Sequence, residues 1–279
     1  MDWEEFVKQA LAEDIREGDH TSLSCISTVA TGKSQLLVKD HGILAGTELA
    51  LSIFRHLDPH IKIHIIVPDG SSVREGQIAF ELDGNARSIL MAERLALNCM
   101  QRMSGIATLT HKYVKRVEGY NVKILDTRKT TPLFRAAEKW AVRIGGGENH
   151  RFGLFDMIMI KDNHIDYAGG IANAIHDARR YLSENNLSLQ IEVESRTMEE
   201  VEQVLRSGGV QRIMLDNFSL NDTFAAVKLI NRRMETEASG GVDLDTVRDI
   251  ASSGVDYISV GALTHSYKSL DLSLKAVVA

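Results

Sequence analysis

Cationic side chains follow two short apolar runs in the middle of the chain. The runs are VKIL (122–125) and MIMI (157–160), and a glycine triplet (145–147) lies between them. The polar and cationic residues that follow these three segments are, in chain order, Thr127, Arg128, Lys129, His150, Arg151 and Lys161. A guanidinium binds a carboxylate or phosphate through two parallel hydrogen bonds, and lysine adds a point charge. The pattern therefore predicts a pocket for a small polyanion.

Four later runs end in residues of a different chemical character. These runs, with the residues that follow them, are LQIEV (189–193) with Glu194, RIML (212–215) with Asp216, METEA (234–238) with Ser239, Gly240 and Gly241, and YISV (257–260) with Gly261 and Ala262. Carboxylates suit hydroxyls and magnesium, and small residues let backbone N–H groups approach a phosphate. Spacing alone does not separate Glu194 from Glu192, which shares its strand face, and Asp216 could equally cap a following helix.

The order of these elements predicts how the candidate residues are positioned. From Val122 onward, strand-like runs alternate with helix-like segments such as 168–185 and 197–205, which is typical of parallel strands with right-handed crossovers. Parallel strands bring their carboxyl ends to one edge, where active sites of barrel enzymes lie. A doubly wound open sheet would place the same residues similarly, so the pattern supports a shared site more strongly than barrel closure.

The first part of the chain has a different pattern. An amphipathic helix is predicted over 2–13, with Asp2 as its cap, and another over 47–57. Strands are predicted over 35–38, 61–67 and 78–82, which together indicate an α+β module. A long helix over 88–117 is expected to break near Ser104 and Gly105.

Composition excludes several classes of protein. The net charge of −6 argues against a general nucleic-acid binder, and no apolar run approaches the roughly 20 residues of a membrane span. The acidic start MDWEEF does not resemble a signal peptide, so we expect a cytoplasmic protein that binds no membrane. Cys25 and Cys99 form no CxxC motif and are expected to be plain buried thiols.

An ordered set of motifs resembles the quinolinate phosphoribosyltransferase family. The motifs are ALAEDIREGDHTS (10–22), GILAG (42–46), ERLALN (93–98), TRKTTP (127–132), GGGENHR (145–151), KDNH (161–164), IEVES (191–195), IMLDN (213–217), EASGGV (237–242) and ISVGALTHS (258–266). The resemblance runs nearly from end to end. One departure is Leu133, which stands where the family often has glycine.

The resemblance implies an α/β fold with two domains and a partner subunit. Residues 1–107 would form an N-terminal α+β sandwich, and 108–267 a partly open α/β barrel of about seven parallel strands, of which pattern alone identifies six. We expect the segment 268–279 to pack back on the N-terminal domain. The family also implies a homodimer in which Arg94 reaches the neighbouring site.

The resemblance further implies transfer of a phosphoribosyl group to quinolinate with decarboxylation, aided by Mg²⁺, in NAD biosynthesis. The residues matched to quinolinate are Arg94, Thr127, Arg128, His150, Arg151 and Lys161. Those matched to phosphoribosyl pyrophosphate are Lys129, Glu194, Asp216, Ser239, Gly240, Gly241, Gly261, Ala262 and His265. Lys129, Glu194 and Asp216 are the expected catalytic residues, and the two carboxylates are the expected magnesium ligands, directly or through water or substrate.

Two other functions are compatible with parts of this pattern. The chain could be a non-catalytic, oxyanion- or phosphate-binding paralogue, but the combined presence of the cations and carboxylates favours the enzyme. A phosphoribosyltransferase that uses nicotinate would need to bind only one carboxylate, and the excess of cations argues against it.

Overall fold

A computed structural model describes residues 3–277, so Asp2, the expected cap of the first helix, lies outside the described residues. The chain forms two compact units. Unit 1 comprises Met1–His111, Thr131–Gly146 and Ser266–Ala279, and unit 2 comprises Lys112–Thr130 and Gly147–His265. Neither unit is one continuous stretch of chain. In particular, 131–146 and 266–279 belong with the N-terminal part.

The helices and strands alternate along most of the chain. The helices are α1 (Trp3–Ile15), α2 (His20–Cys25), α3 (Thr47–Leu57), α4 (Ala86–Arg116), α5 (Arg135–Ile144), α6 (Asp162–Ala168), α7 (Ile171–Glu184), α8 (Met198–Ser207), α9 (Leu220–Ile230), α10 (Val247–Ser252) and α11 (Ala262–His265). The strands are β1 (Thr31–Val38), β2 (Gly42–Ile43), β3 (Lys62–Ile65), β4 (Ser72–Val73), β5 (Ile78–Asn85), β6 (Lys123–Leu125), β7 (Ile158–Ile160), β8 (Ile191–Ser195), β9 (Arg212–Asp216), β10 (Glu235–Ser239), β11 (Tyr257–Ser259) and β12 (Leu272–Val277).

Unit 1 is built on a four-stranded antiparallel sheet in the order β12-β1-β5-β3. Ser34, Leu36 and Val38 of β1 are buried, as the two-residue period of a strand requires when one face packs on a core. The strand β12 pairs with β1 from Val38↔Leu272 to Lys33↔Val277. Residues Leu272–Val277 therefore complete the sheet that the early part of the chain begins.

The crossover helix α5 also belongs to unit 1, although it lies between two strands of unit 2 in sequence. Its Trp140 ring lies 5.7 Å from that of Trp3 in α1. The ring of Phe134, which precedes the helix, lies 5.7 Å from Phe6. Aromatic contacts at these centroid distances are favourable, and they fix α5 beside α1.

The predicted break in the long helix is wrong, because α4 continues from Ala86 to Arg116. Gly105 has a packing role instead. A Cβ at this position would lie 2.4 Å from the backbone oxygen of Lys268, so only glycine lets the 268–269 segment approach the helix. Sequence alone does not distinguish a glycine that breaks a helix from one that admits a neighbouring backbone.

Replacing Gly105 with alanine is therefore expected to destabilise the protein by about 1–3 kcal/mol, the usual cost of overpacking. Gly32→Ala is the matched control, because its added Cβ would meet the Ala86 Cβ at an ordinary 3.7 Å. Urea unfolding of both variants measures the difference. Equal free energies of unfolding would show that the 268–269 segment moves aside at no cost.

Unit 2 contains six parallel strands in the order β6-β11-β10-β9-β8-β7. Every residue of β8 is buried, as expected for a strand covered on both faces. The α/β class and the separate antiparallel N-terminal sheet are confirmed. The six apolar runs correspond to the six strands. The sequence predicts no position for the seventh strand that the resemblance implies, and Leu125 of β6 makes an isolated parallel bridge to Glu148.

Three local features differ from the expected pattern. The helix predicted over 168–185 is α7, which begins at Ile171 because Gly169 and Gly170, with φ values of 74° and 129°, separate it from the end of α6. Cys99 is buried as expected, but Cys25, the last residue of the short helix α2, is exposed. Leu133 has a φ of 62° and is 82% exposed. The left-handed region favours glycine because it has no Cβ, which explains why the resembling family often has glycine here.

Candidate active site

A single cavity of about 730 Å³ lies at the carboxyl ends of the six strands of unit 2. Residues that follow β6 and residues of β7 both line it, although these strands are the two edges of the sheet. The sheet is therefore curved enough to bring its edges around one hollow. This is the partly open barrel arrangement, with the site where parallel strands end.

All but one of the predicted site residues line this cavity. Those present are Thr127, Arg128, Lys129, His150, Arg151, Lys161, Glu194, Asp216, Ser239, Gly240, Gly241, Gly261, Ala262 and His265. Arg94 is the exception; it is exposed on α4, in unit 1. The cavity is also lined by residues that were not predicted: Met159, Met214, Asn217, Glu237, Val242, Ser259 and Val260.

The backbone of Lys129 is fixed from two sides. Its N–H donates to Thr127 Oγ1 over 3.0 Å, and its carbonyl accepts from the hydroxyl of Thr264 over 2.8 Å. A Cβ on Gly261 would lie 3.0 Å from Lys129 Cδ and 3.1 Å from His265 Nε2. The small residue after β11 thus makes room for two predicted phosphoribosyl-binding side chains.

Arg128 and Arg151 lie close enough to affect each other. Burial, followed by the positive charge of Arg128, holds the pKa of Arg151 below its usual range. Arg151 Nη1 donates to the carbonyl of Met157 over 3.3 Å, which orients its half-buried guanidinium. Two like charges held together in a cavity form a site that an anion would stabilise.

The carboxylates lie on the neighbouring strands β8 and β9. Glu194 Oε2 lies 3.1 Å from Lys161 Nζ, so a cation of the first group contacts an anion of the second. Asp216 Oδ2 accepts a hydrogen bond from the amide of Asn217 over 2.8 Å. The cavity is therefore cationic after β6 and β7 and carboxylate-bearing after β8 and β9.

The loop after β10 gives a ligand direct access to the backbone. Gly240 has a φ of 93°, and an added Cβ would lie 2.2 Å from the Asn217 Oδ1. Gly241 has a φ of 60° and open space where a Cβ would be. Both glycines line the cavity, and such a loop can present N–H groups to a phosphate.

Asp126 was not among the predicted site residues, although it directly follows β6. It is fully buried, and its Oδ2 accepts from the Asn149 side-chain amide over 2.6 Å. Its Oδ1 accepts from the His150 backbone N–H over 3.0 Å. Asp126 thus anchors the loop that carries His150 and Arg151. The sequence feature that could have identified Asp126 is its position at a strand end, one residue before Thr127.

A second unpredicted group lies under His150. The His150 support cluster consists of Glu192, Glu237 and Arg212, from β8, β10 and β9. His150 Nε2 lies 2.9 Å from Glu192 Oε2 and 3.3 Å from Glu237 Oε2. Arg212 Nη1 lies 3.0 Å from Glu237 Oε2. Glu192 is distinct from Glu194 in its surroundings, since Glu192 is fully buried and Glu194 lines the cavity.

The His150 ring and the two carboxylates of its support cluster, Glu192 and Glu237, together have the composition of a metal site. Arg212 already supplies a positive charge to Glu237, and the imidazole contacts both carboxylates through the nitrogen that a metal would need. Burial and the charge of Glu237 raise the pKa of Glu192, which opposes a second full negative charge here. The donor set therefore fits a hydrogen-bonded cluster better than a metal centre.

The chain matches the two domains of one known family over nearly its whole length. The quinolinate phosphoribosyl transferase C-terminal domain matches residues 106–275, and the N-terminal domain of the same family matches 19–104. A relative from Arabidopsis thaliana, nicotinate-nucleotide pyrophosphorylase [carboxylating], chloroplastic, is 50% identical over 96% of this chain and 81% of its own.

Two further proteins give the same result. Quinolinate phosphoribosyltransferase [decarboxylating] 2b, mitochondrial, from Nicotiana tabacum is 47% identical over 98% of this chain and 82% of its own. The solved structure of the nicotinate-nucleotide pyrophosphorylase from Francisella tularensis is 42% identical. It superposes with a TM-score of 0.92 over 99% of this chain and 96% of that one.

Proposed function

Because the chain belongs to the quinolinate phosphoribosyltransferase family, we propose that its cavity transfers a phosphoribosyl group to quinolinate. Phosphoribosyl pyrophosphate is the donor, and the products are nicotinate mononucleotide, pyrophosphate and carbon dioxide. The reaction serves NAD biosynthesis. The observation that carries the proposal is that cations and carboxylates at the ends of several strands of unit 2 line one cavity.

The cationic side of the cavity suits quinolinate, which carries two adjacent carboxylates. Arg128 and Arg151 are close enough to influence each other, and Lys161 lines the same hollow. Two guanidiniums and an ammonium can bind both carboxylates, with Thr127 beside them. A single carboxylate, as in nicotinate, would leave the two guanidiniums incompletely neutralised.

The other side of the cavity suits phosphoribosyl pyrophosphate. Glu194 and Asp216 would hold the ribose hydroxyls, and Lys129 and His265 would contact phosphate oxygens. The residues that would receive the 5′-phosphate through backbone N–H groups are Ser239, Gly240, Gly241, Gly261 and Ala262. This arrangement places negative side chains beside the ribose, where positive charge develops during transfer.

The reaction needs positioning and fixed charge more than a nucleophilic side chain. The lone pair of the pyridine nitrogen forms a bond to the anomeric carbon while the bond between that carbon and pyrophosphate breaks. The electrons of the broken bond leave with pyrophosphate. The carboxylate next to the ring nitrogen then leaves as carbon dioxide, and its bonding electrons pass into the cationic ring. The ring carbon finally takes a proton from solvent.

The proposal is tested by incubating the protein with magnesium, quinolinate and phosphoribosyl pyrophosphate and following nicotinate mononucleotide by chromatography. We expect stoichiometric release of carbon dioxide and pyrophosphate, and far slower turnover with nicotinate. Binding of both substrates without product would instead identify a non-catalytic anion-binding paralogue.

Magnesium is the metal that the candidate residues would hold. Glu194 and Asp216 are oxygen donors at the ends of adjacent strands and line the same cavity, which fits a cation that takes few protein ligands. When bound, magnesium neutralises charge on the pyrophosphate. The two carboxylates then orient the donor, while Lys161 and Asn217 hold the carboxylates in place.

Removing divalent cations with EDTA is expected to lower turnover by at least about a hundredfold. The melting temperature should stay unchanged, because both carboxylates already have protein partners. Product formation is measured before and after adding back excess magnesium. Full turnover in EDTA would mean that the carboxylates act without a metal.

A homodimer with a shared site would explain the position of Arg94. This side chain is exposed on α4 and does not line the cavity of its own chain, although the motif around it matches the family. We propose that it reaches the quinolinate side of the partner's cavity.

The cytoplasmic location expected from the sequence is likewise a proposal, since the names of the two plant relatives place them in chloroplast and mitochondrion. Among residues 3–277 no helix is long and apolar enough to span a membrane.

Mixing inactive Arg94→Ala and Lys161→Ala proteins is expected to restore about a quarter of wild-type activity. Half of randomly assembled dimers would be mixed, and one of the two sites in each would carry both wild-type side chains. Activity is assayed after subunit exchange, which is followed by native mass spectrometry. No recovery in proven mixed dimers would show that each site is complete within one chain.

A further inference from the structure

The family resemblance assigns His150 to quinolinate, but the structure points to a different role for its ring. We propose that His150 is a positioning residue that holds Arg151 in the cavity, and that Glu192, Glu237 and Arg212 hold His150 in turn. The proposal rests on the proposed function, because it concerns how Arg151 is presented to a dianionic substrate.

Both ring nitrogens of His150 are engaged by the protein. Nε2 lies 2.9 Å from Glu192 and 3.3 Å from Glu237, and Nδ1 accepts the backbone N–H of Arg151 over 2.7 Å. The side chain is only 5% exposed. An imidazole offers two hydrogen-bonding nitrogens, and here both lie within hydrogen-bonding distance of protein groups. The ring therefore has no polar atom left for a substrate carboxylate.

The bond at Nδ1 fixes the position of the ring proton. Burial and the Arg151 N–H donor at Nδ1 oppose a second proton on the ring, whereas the hydrogen bonds and charges of Glu192 and Glu237 raise the pKa of His150. Those carboxylates act at Nε2. A second proton on Nδ1 would face the Arg151 N–H, whose nitrogen lies 2.7 Å away. The hydrogen bond would then be replaced by repulsion between two donors. We therefore assign the proton to Nε2, where two acceptors await it, and leave Nδ1 as the acceptor for Arg151.

The support cluster is fixed by the sheet itself. Glu192 of β8 and Arg212 of β9 are direct partners in the strand register, and Glu237 lies on the next strand, β10. The guanidinium of Arg212 also lies 3.9 Å from the centre of the Tyr257 ring on β11. Four neighbouring strands thus set the place of the imidazole, and a rigid support of this kind limits the movement of the group it holds.

The loop backbone at Arg151 is consequently held from two directions. Asp126 accepts the His150 N–H over 3.0 Å, and the His150 ring accepts the next N–H along the chain, that of Arg151. With its backbone fixed, Arg151 can hold its guanidinium beside Arg128 despite their mutual repulsion. A substrate that binds both guanidiniums needs this geometry before it arrives.

The test compares Glu192→Gln and Glu237→Gln with Glu235→Gln. Glu235 contacts the same Arg212 at 3.1 Å from the more exposed side, with 43% of its side chain exposed, so it is the matched control. We expect the first two variants to raise the KM for quinolinate about tenfold or more, with the KM for phosphoribosyl pyrophosphate and kcat within about twofold. The control should stay near wild type.

A spectroscopic measurement separates this role from a purely structural one. In protein labelled with ¹⁵N-histidine, the signals that disappear in His150→Gln are expected to report a proton on Nε2 and none on Nδ1, with or without quinolinate. Glu192→Gln should change these signals while the protein stays folded. The wild-type protein must first turn over quinolinate; if it does not, the proposed function fails rather than this inference.

Two outcomes would overturn the inference in an active enzyme. One is a quinolinate KM that is the same in Glu192→Gln, Glu237→Gln and Glu235→Gln. The other is a His150 ring that gains a proton on Nδ1 when quinolinate binds, which would identify a direct ligand to the substrate. Thermal unfolding of each variant shows whether a loss of activity reflects loss of the fold.

Discussion

Arg128→Ala is expected to raise the KM for quinolinate by about a hundredfold or more, since removing one member of a charged, hydrogen-bonded pair costs roughly 2–5 kcal/mol. Arg128 is exposed in the cavity and lies near Arg151, so its loss removes half of the guanidinium pair. The KM for phosphoribosyl pyrophosphate should change little. Steady-state kinetics with each substrate varied in turn measures both constants.

The control for this variant is Arg206→Ala, which removes an exposed arginine on α8 that pairs with Glu202 of the same helix. Exposed helix pairs contribute only about 0.5 kcal/mol, so stability and activity should stay near wild type. If Arg128→Ala kept the wild-type quinolinate KM, the proposed two-carboxylate site would be wrong.

Glu194→Gln is expected to lower kcat by about 10²–10³, the usual effect of losing one electrostatic group that stabilises a transition state. The carboxylate ends β8 in the cavity and would face the positive charge that develops on the ribose. Its neutral isostere keeps the shape and loses the charge. Folding should be affected little, because the partner Lys161 is 44% exposed and stays solvated when the ion pair is lost.

The matched control is Glu202→Gln, an exposed glutamate on α8 in the same unit. Single-turnover kinetics separates the chemical step from product release, and thermal unfolding reports stability. A large fall in melting temperature with kcat unchanged would assign Glu194 a structural role, as the alternative reading of a strand-end carboxylate allows.

The sequence predicts this site well where residues follow parallel strands. Arg128, Lys161, Glu194 and Asp216 each stand at the end of an apolar run, and topology alone places such residues at one edge. The loop residue Arg151 was placed by the family motif rather than by periodicity.

Other features depend on contacts that one segment cannot reveal. Glu192, Arg212 and Glu237 lie inside apolar runs, and the spacing of the strand offers Glu192 only as an alternative to Glu194. A charged residue in a strand buried on both faces needs a partner, so three such residues in successive strands were a usable signal. Gly105 gives no such signal, because the backbone it admits comes from a segment far along the chain.

The pairing of β12 with β1 has a consequence for biosynthesis. β1 leaves the ribosome well before its partner β12, which is the last of the described strands. Until it emerges, the Thr31–Val38 strand has an unsatisfied edge on one side, which is a template for association with other chains. We therefore expect nascent chains truncated before Leu272 to aggregate during translation, even when the catalytic strands are complete.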